Sequence, residues 1–244
     1  MKHGALALVG SGEYTEPMID LETKLIELGK SRGKHGGFVQ IATAAGQESE
    51  ERIDYWKKLG EAQAEKIGVE PKFVDIRNRA DAEKDWSVLI ANASLIYFSG
   101  GNPHYLAESI RGTVVWNLIV KEFMTGTSLA GCSAGAMFMG TRIPSFRGPL
   151  GKEIEGVNLI PRLSIFPHYD RYFGRLPKPV RHLVERETKD SYKIGIDENT
   201  ALVLSDGKWS HYGIGRVIQL SESPEVITTQ SNQQIQIPLE IFIN

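Results

Sequence analysis

The sequence predicts an α/β protein, a three-layer α/β/α sandwich around a mostly parallel sheet, and three observations predict it. Short apolar runs bounded by turn residues recur, among them "ALALVG", "GFVQIATA", "KFVDI", "LIYFSGG" and "SLAGCS". Between the early runs lie segments of helical length, and Gly-rich junctions follow the runs directly. Near-continuous apolar strands alternating with amphipathic helices require a sheet covered on both faces, because each strand buries both rows of side chains.

The elements follow in order. "ALALVG" opens the sheet, and "EPMIDLETKLIELGK" carries apolar residues at spacings of three and four, the period of a helix with one buried face. "GFVQIATA" supplies the next strand and "QESEERIDYWKKLGEAQAEKIG" the next helix. "KFVDI", "LIYFSGG" and "SLAGCS" continue the sheet, and "LSIFPH" is a later apolar strand. From about Tyr192 the pattern changes to close-spaced strands, "YKIGID", "TALVLSDGKWSHYGIG", "RVIQL", "EVITTQ" and "QIQIPLEIFI", with Asp206-Gly207 as a hairpin turn. These strands are expected to add antiparallel members to the same sheet. With no Pro/Ser-rich linker, low-complexity run or internal repeat, residues 1–244 read as one domain.

Composition excludes several function classes. At 244 residues, 41% hydrophobic and 24% charged, the chain fits an ordinary globular enzyme rather than a disordered or fibrous protein. A net charge of -2 indicates no nucleic-acid partner. The densest basic run, "RLPKPVRHLVERETK", is interleaved with Glu185 and Glu187 and reads as a solvated helix face. A single cysteine, Cys132, forms no intramolecular disulfide and no paired zinc-binding spacing, which suits a reducing compartment. No run approaches a membrane span, and the N-terminal apolar run stops at Gly10-Ser11-Gly12 without a signal-peptide pattern, so a cytoplasmic protein is expected. Gly10-Ser11-Gly12-Glu13 is not a dinucleotide fingerprint, since Thr15 stands where the third glycine belongs, and a substrate-side loop is expected there instead of a cofactor loop.

The chemistry centres on "SLAGCSAGAMFMG", residues 128–140. Gly131-Cys132-Ser133-Ala134-Gly135 has the Gly-x-Ser-x-Gly spacing of a strand-to-helix elbow, in which small flanking residues let the serine hydroxyl stand clear of the sheet edge. Cys132, one residue earlier, points to the opposite face of an extended strand and is expected to pack in the core. The Ala134 amide can face a developing oxyanion, and Gly100 or Gly101 can bring a second bare amide to it. A serine needs a base, and histidine suits that task near neutrality. Of six histidines, His104 and His168 both follow core strands and both qualify; His3, His35, His182 and His211 sit in surface, helical or hairpin contexts.

At this turn the sequence resembles peptidase family S51, which contains dipeptidase E and cyanophycinase, serine hydrolases on a flavodoxin-like sheet related to class I glutamine amidotransferases. The resemblance rests on Gly131 to Ala136, Gly100-Gly101-Asn102, His168-Tyr169 with Arg171 and Arg175-Leu176, and Gly195-Ile196-Asp197-Glu198, in family order. It implies that His168 is the base and Glu198 its orienting acid, with Asp197 the neighbouring competitor. An aspartate shortly after the nucleophile, assigned to the relay in some members, is absent between Ser133 and His168; Glu153 and Glu155 are the nearest acids. Asn102, Arg171 and Arg175 are candidate substrate contacts. The family often has Gln after Gly-Gly-Asn/Asp, whereas Pro103 and His104 follow here, a departure that weakens any transfer of substrate preference. The expected activity is hydrolysis of a small peptide or isopeptide without metal or cofactor, and the resemblance implies a homodimer. Two rivals are an amidotransferase-like amide hydrolase using Cys132 and a non-catalytic ligand-binding member of the fold.

Overall fold

A strand that buries both faces must send alternate side chains into two different cores, and the strands of this protein do so. The computed structural model describes residues 3–144, 154–172, 192–220 and 225–228, with 175, 177, 233–235, 237, 238 and 241. Its first strand, β1 (Leu6–Val9), directs Leu6 and Leu8 into one core and Ala7 and Val9 into the other. The further strands and α-helices of the first half are α1 (Ile19–Ser31), β2 (Phe38–Ile41), α2 (Glu50–Ile67), β3 (Pro71–Phe73), α3 (Arg79–Ala82), α4 (Ser87–Ile90), β4 (Leu95–Phe98), α5 (Pro103–Ile110), α6 (Val114–Met124), β5 (Ser128–Cys132) and α7 (Ala134–Met139). Helices α1 and α2 cover one face through Leu21, Leu25, Ile26 and Ala64. Helices α5 to α7 cover the other through Leu106, Ile119, Phe123 and Phe138. Each of these leucine, isoleucine and phenylalanine side chains withdrawn from water contributes about 1.5–3 kcal/mol.

Helix ends follow local chemistry. Ser49 caps α2 by accepting from the Arg52 amide, and Gly68 ends it in the left-handed conformation with φ 77°. Asn102 caps α5 by accepting from the amides of His104 and Tyr105.

Among the described residues the second half contributes β6 (Arg142–Ile143), β7 (Ile154–Glu155), β8 (Leu163–Phe166), β9 (Tyr192–Ile196), β10 (Thr200–Ser205), β11 (Lys208–Gly213), β12 (Val217–Leu220), β13 (Glu225–Thr228) and β14 (Gln234–Ile235). The central sheet has the order β14-β11-β10-β1-β5-β4-β2-β3. Strands β1, β5, β4, β2 and β3 run parallel, while β10, β11 and β14 add antiparallel edges. Asp206-Gly207 closes the β10–β11 hairpin with φ of 51° and 75°, as a two-residue turn with both positions left-handed requires.

One sequence expectation is corrected. "YKIGID", "RVIQL" and the start of "EVITTQ" do not extend the central sheet; as β9, β12 and β13 they join β8 in a separate sheet of order β13-β12-β9-β8. Close-spaced strand signals carry no information about which sheet a strand joins, because pairing partners are set by tertiary packing. The basic run at 175–189, apart from Arg175 and Pro177, and Glu153 and Leu176 lie outside the described residues.

The topology decides where chemistry can sit. Because β5 lies between β1 and β4, the loops leaving the carboxyl ends of these parallel strands converge at one point. Strands β8 and β9 are also parallel, with Phe166 beside Gly195, so residues just beyond each emerge together. The two groups of loops are joined where the His168 amide donates to Gly10 O (3.3 Å) and the Gly10 amide to Thr200 O (2.8 Å).

Candidate active site

The turn after β5 leaves no room for a side chain at either flanking glycine. A Cβ on Gly131 would fall 2.4 Å from the carbonyl carbon of Gly135, and one on Gly135 would fall 2.6 Å from Phe98 O. Replacing Gly131 by alanine is therefore expected to destabilise the fold by about 3 kcal/mol or more, read as a drop in thermal midpoint. Ser133 takes up the strain, with φ 49° and ψ -105°, a conformation that non-glycine residues avoid, and its amide is tied to Val9 O at 2.9 Å. Strain of this kind persists only where the surroundings hold it.

The strained turn brings Ser133 Oγ within 3.1 Å of His168 Nε2, and His168 Nδ1 lies 2.8 Å from Glu198 Oε1. Ser133 comes from the central sheet, and the other two come from the ends of β8 and β9. His168 itself has φ 47°. Burial alone would raise the Glu198 carboxyl, but hydrogen bonds and charge from His168 and Arg171 outweigh it and hold the group below its ordinary value. The Asp170 carboxylate accepts the Glu198 amide at 3.0 Å and fixes the backbone beneath the acid.

Other candidates are placed differently. Asp197 is not beside the imidazole; its Oδ2 accepts from the Arg216 amide (3.0 Å) and from Arg216 Nε (2.7 Å). His104 stands on α5, its amide bonded to the Asn102 cap. Arg171 donates to Glu198 Oε1 at 3.2 Å. Arg175 is exposed, and its amide donates to Tyr172 O at 3.3 Å. Asn102 commits its side-chain oxygen to capping α5.

The amides of the Gly-Gly loop can be accounted for singly. Ser99 N–H donates to Ile41 O (3.0 Å), Gly100 N–H to Glu13 Oε1 (2.9 Å) and Asn102 N–H to Ala44 O (2.8 Å). Among the described residues Gly101 N–H makes no such bond, and neither does Ala134 N–H at the first position of α7, where no intrahelical acceptor exists. Gly100 is thus corrected as an oxyanion donor, its amide being occupied by a carboxylate that sequence reasoning did not single out. Gly101 has φ 139°, and a Cβ there would lie 2.6 Å from the Ala44 backbone, so the position requires glycine.

Cys132 is fully buried on the α1/α2 face, and its Sγ donates to Glu13 Oε2 at 2.9 Å. Burial first, and then the negative charge of Glu13, push the thiol well above its ordinary value. A thiol kept protonated and out of solvent is no nucleophile.

Sequence reasoning missed two acids. Glu13, in the loop after β1, stands in a glycine-flanked stretch that reads from sequence as a substrate-side loop rather than a cofactor loop, and nothing local marks its carboxylate as the acceptor of a distant amide. Asp170 follows the His-Tyr segment, and no spacing rule signals an acid that accepts a distant amide.

A mostly parallel sheet with a strained serine elbow at its carboxyl edge, and a serine hydroxyl beside an imidazole and a carboxylate, suits a hydrolytic enzyme of the α/β class. The chain belongs to peptidase family S51, whose model matches residues 6–212, and it is a peptidase. It is similar to the crystal structure of a peptidase from an acI-B1 Actinobacterium, with 41% identity and a TM-score of 0.88, over 97% of this chain and 98% of that one. A candidate peptidase E protein from Listeria monocytogenes EGD-e shares the fold at 19% identity and a TM-score of 0.61, over 87% of this chain and all (100%) of that one. A search of curated proteins gave no match. No helix among the described residues is long and apolar enough to cross a membrane.

Proposed function

We propose that the protein is a cytoplasmic serine-type peptidase or isopeptidase acting on a small peptide, in the manner of dipeptidase E or cyanophycinase, through Ser133, His168 and Glu198. The observation that supports this reading is the hydrogen-bonded chain from Ser133 Oγ through both ring nitrogens of His168 to Glu198. Ser133 Oγ attacks the carbonyl carbon while its proton passes to His168 Nε2. The carbonyl oxygen becomes an oxyanion that accepts from the Ala134 and Gly101 amides. The imidazolium then protonates the leaving nitrogen and the C–N bond breaks; water next attacks the acyl-serine as His168 takes its proton, and His168 returns that proton to Ser133 Oγ as the Oγ–C bond breaks and the carboxylic acid product leaves. Glu198 holds the Nδ1 proton in place throughout, so that Nε2 faces the serine as an acceptor. Asn102 offers substrate its Nδ2 group, since its oxygen is engaged as a cap, and Arg175 offers a counter-charge for a carboxylate.

Glu198→Gln should lower kcat by roughly 10³–10⁴-fold, because an amide NH₂ opposite Nδ1 favours the tautomer that presents a hydrogen to the serine. Steady-state kinetics with unchanged thermal midpoint checks it. The reading as a whole is tested by screening dipeptides and isopeptides against wild type and Ser133→Ala. Cleavage by wild type alone supports it; the absence of any cleavage, or cleavage that survives in Ser133→Ala, removes it.

A further inference from the structure

We infer that Glu13 is a positioning residue that sets the oxyanion-binding amides in place by clamping the Gly100-Gly101 loop to the serine elbow. The inference rests on the serine-hydrolase reading above and assigns a part to two residues that reading leaves idle, Glu13 and Cys132.

The geometry is specific. Glu13 lies in the loop after β1, and its two carboxylate oxygens reach different neighbours: Oε1 accepts Gly100 N–H at 2.9 Å, from the loop after β4, and Oε2 accepts the Cys132 thiol at 2.9 Å, from the last residue of β5. One side chain thereby ties together the carboxyl ends of the three adjacent strands β1, β5 and β4. It does so next to the nucleophile, since a Cβ on Gly100 would lie 2.7 Å from Glu13 Oε1 and 3.4 Å from Ser133 Cβ.

A Gly-Gly peptide has little intrinsic preference for one orientation. In this loop the amide before Gly101 is pinned by Glu13 and the amide after it by Ala44 O, and Gly101 N–H between them has no hydrogen-bond partner among the described residues. Removing the carboxylate frees Gly100, and the Gly100-Gly101 peptide plane can then rotate and carry the Gly101 amide away from the developing charge. Buried Cys132 acts as the second anchor: a thiol kept protonated by its surroundings is a lasting donor to Glu13. The rare cysteine thus serves the site as a hydrogen-bond donor, one residue from the group that attacks.

The test measures the rate at which an alkyl fluorophosphonate modifies Ser133. In that reaction the Ser133 Oγ–P bond forms, the P–F bond breaks with loss of fluoride, the serine proton passes to His168, and the phosphoryl oxygen needs the same amides as a peptide oxyanion. Glu13→Ala should slow modification by about 100-fold, the cost of misplacing one such donor. Glu13→Gln keeps an acceptor for Gly100 and an NH₂ group for the sulfur, and should recover to within roughly tenfold of wild type, the worth of about one hydrogen bond. Cys132→Ser, which keeps a donor, should react faster than Cys132→Ala. Thermal midpoints and circular dichroism of every variant separate loss of fold from loss of positioning. Modification of a folded Glu13→Ala at the wild-type rate overturns the inference. So does a Glu13→Gln as slow as Glu13→Ala, which would assign the role to charge, and so does equal loss in Cys132→Ser and Cys132→Ala. If wild-type protein itself is not modified at Ser133, the serine reading fails and the inference falls with it, an outcome distinct from the others.

Discussion

Ser133→Ala is expected to lower kcat by on the order of 10⁶-fold, with KM for a cleaved peptide changing little. The size follows from the covalent route: without Oγ no acyl intermediate forms, and only binding and the Gly101 and Ala134 amides remain. His168→Ala should lose about as much, because a hydroxyl without its base is nearly as inert as no hydroxyl. The decisive comparison is the double variant, whose loss should match either single loss rather than their product, since the two groups act as a unit. Independent, multiplying losses would mean that the 3.1 Å contact between Ser133 and His168 is not the working one.

The second large effect concerns stability. Glu22 lies on α1 with no solvent exposure, and its Oε2 accepts from Gln63 Nε2 at 2.5 Å. Burial pushes its carboxyl up to about 8, against the lowering effect of the hydrogen bonds from Gln63 and the Tyr14 backbone, with the charge of nearby Glu13 adding to the rise. In the unfolded chain the same carboxyl ionises near 4.3. Between these two values the folded state holds a proton that the unfolded state has released, so this group makes the protein less stable as pH rises from about 4 to about 8, with no further change above. Glu22→Gln keeps the shape and removes the proton equilibrium. The thermal midpoint of Glu22→Gln relative to wild type should therefore climb across that window by roughly 5–10 °C, corresponding to a few kcal/mol. A midpoint difference that stays constant from pH 4 to pH 9 would show that Glu22 does not carry this proton.

Much of the central architecture is legible in local pattern. The apolar runs of β1, β2, β4 and β5 announce strands buried on both faces, and the three-and-four spacing of α1 and α2 announces their covering helices, because burial and periodicity are set by neighbouring residues. The Gly131-to-Gly135 spacing points to a serine elbow for a local reason too: the backbone has no space for a Cβ at either glycine. What is not legible depends on contacts between distant segments. Nothing in "YKIGID" says that β9 pairs with β8 rather than with the central sheet, yet that pairing carries Glu198 to His168. The neighbours Asp197 and Glu198 are indistinguishable as letters; Arg216 takes one and His168 the other. Glu13 and Asp170 are acids that accept amides more than 25 residues away, as the separations of 87 and 28 residues show, and sequence spacing holds no trace of such bonds. Glu22 is buried on α1 against Gln63, 41 residues away, and that pairing likewise depends on how two distant helices meet.

The central claim is that Ser133, and not Cys132 beside it, is the nucleophile. The most direct measurement is the intact mass and peptide map of folded wild-type protein after exposure to an alkyl fluorophosphonate. The account predicts one phosphonyl group per chain, carried by Ser133, with Cys132 unmodified. An adduct on Cys132, or a folded chain that takes up no label, would contradict it.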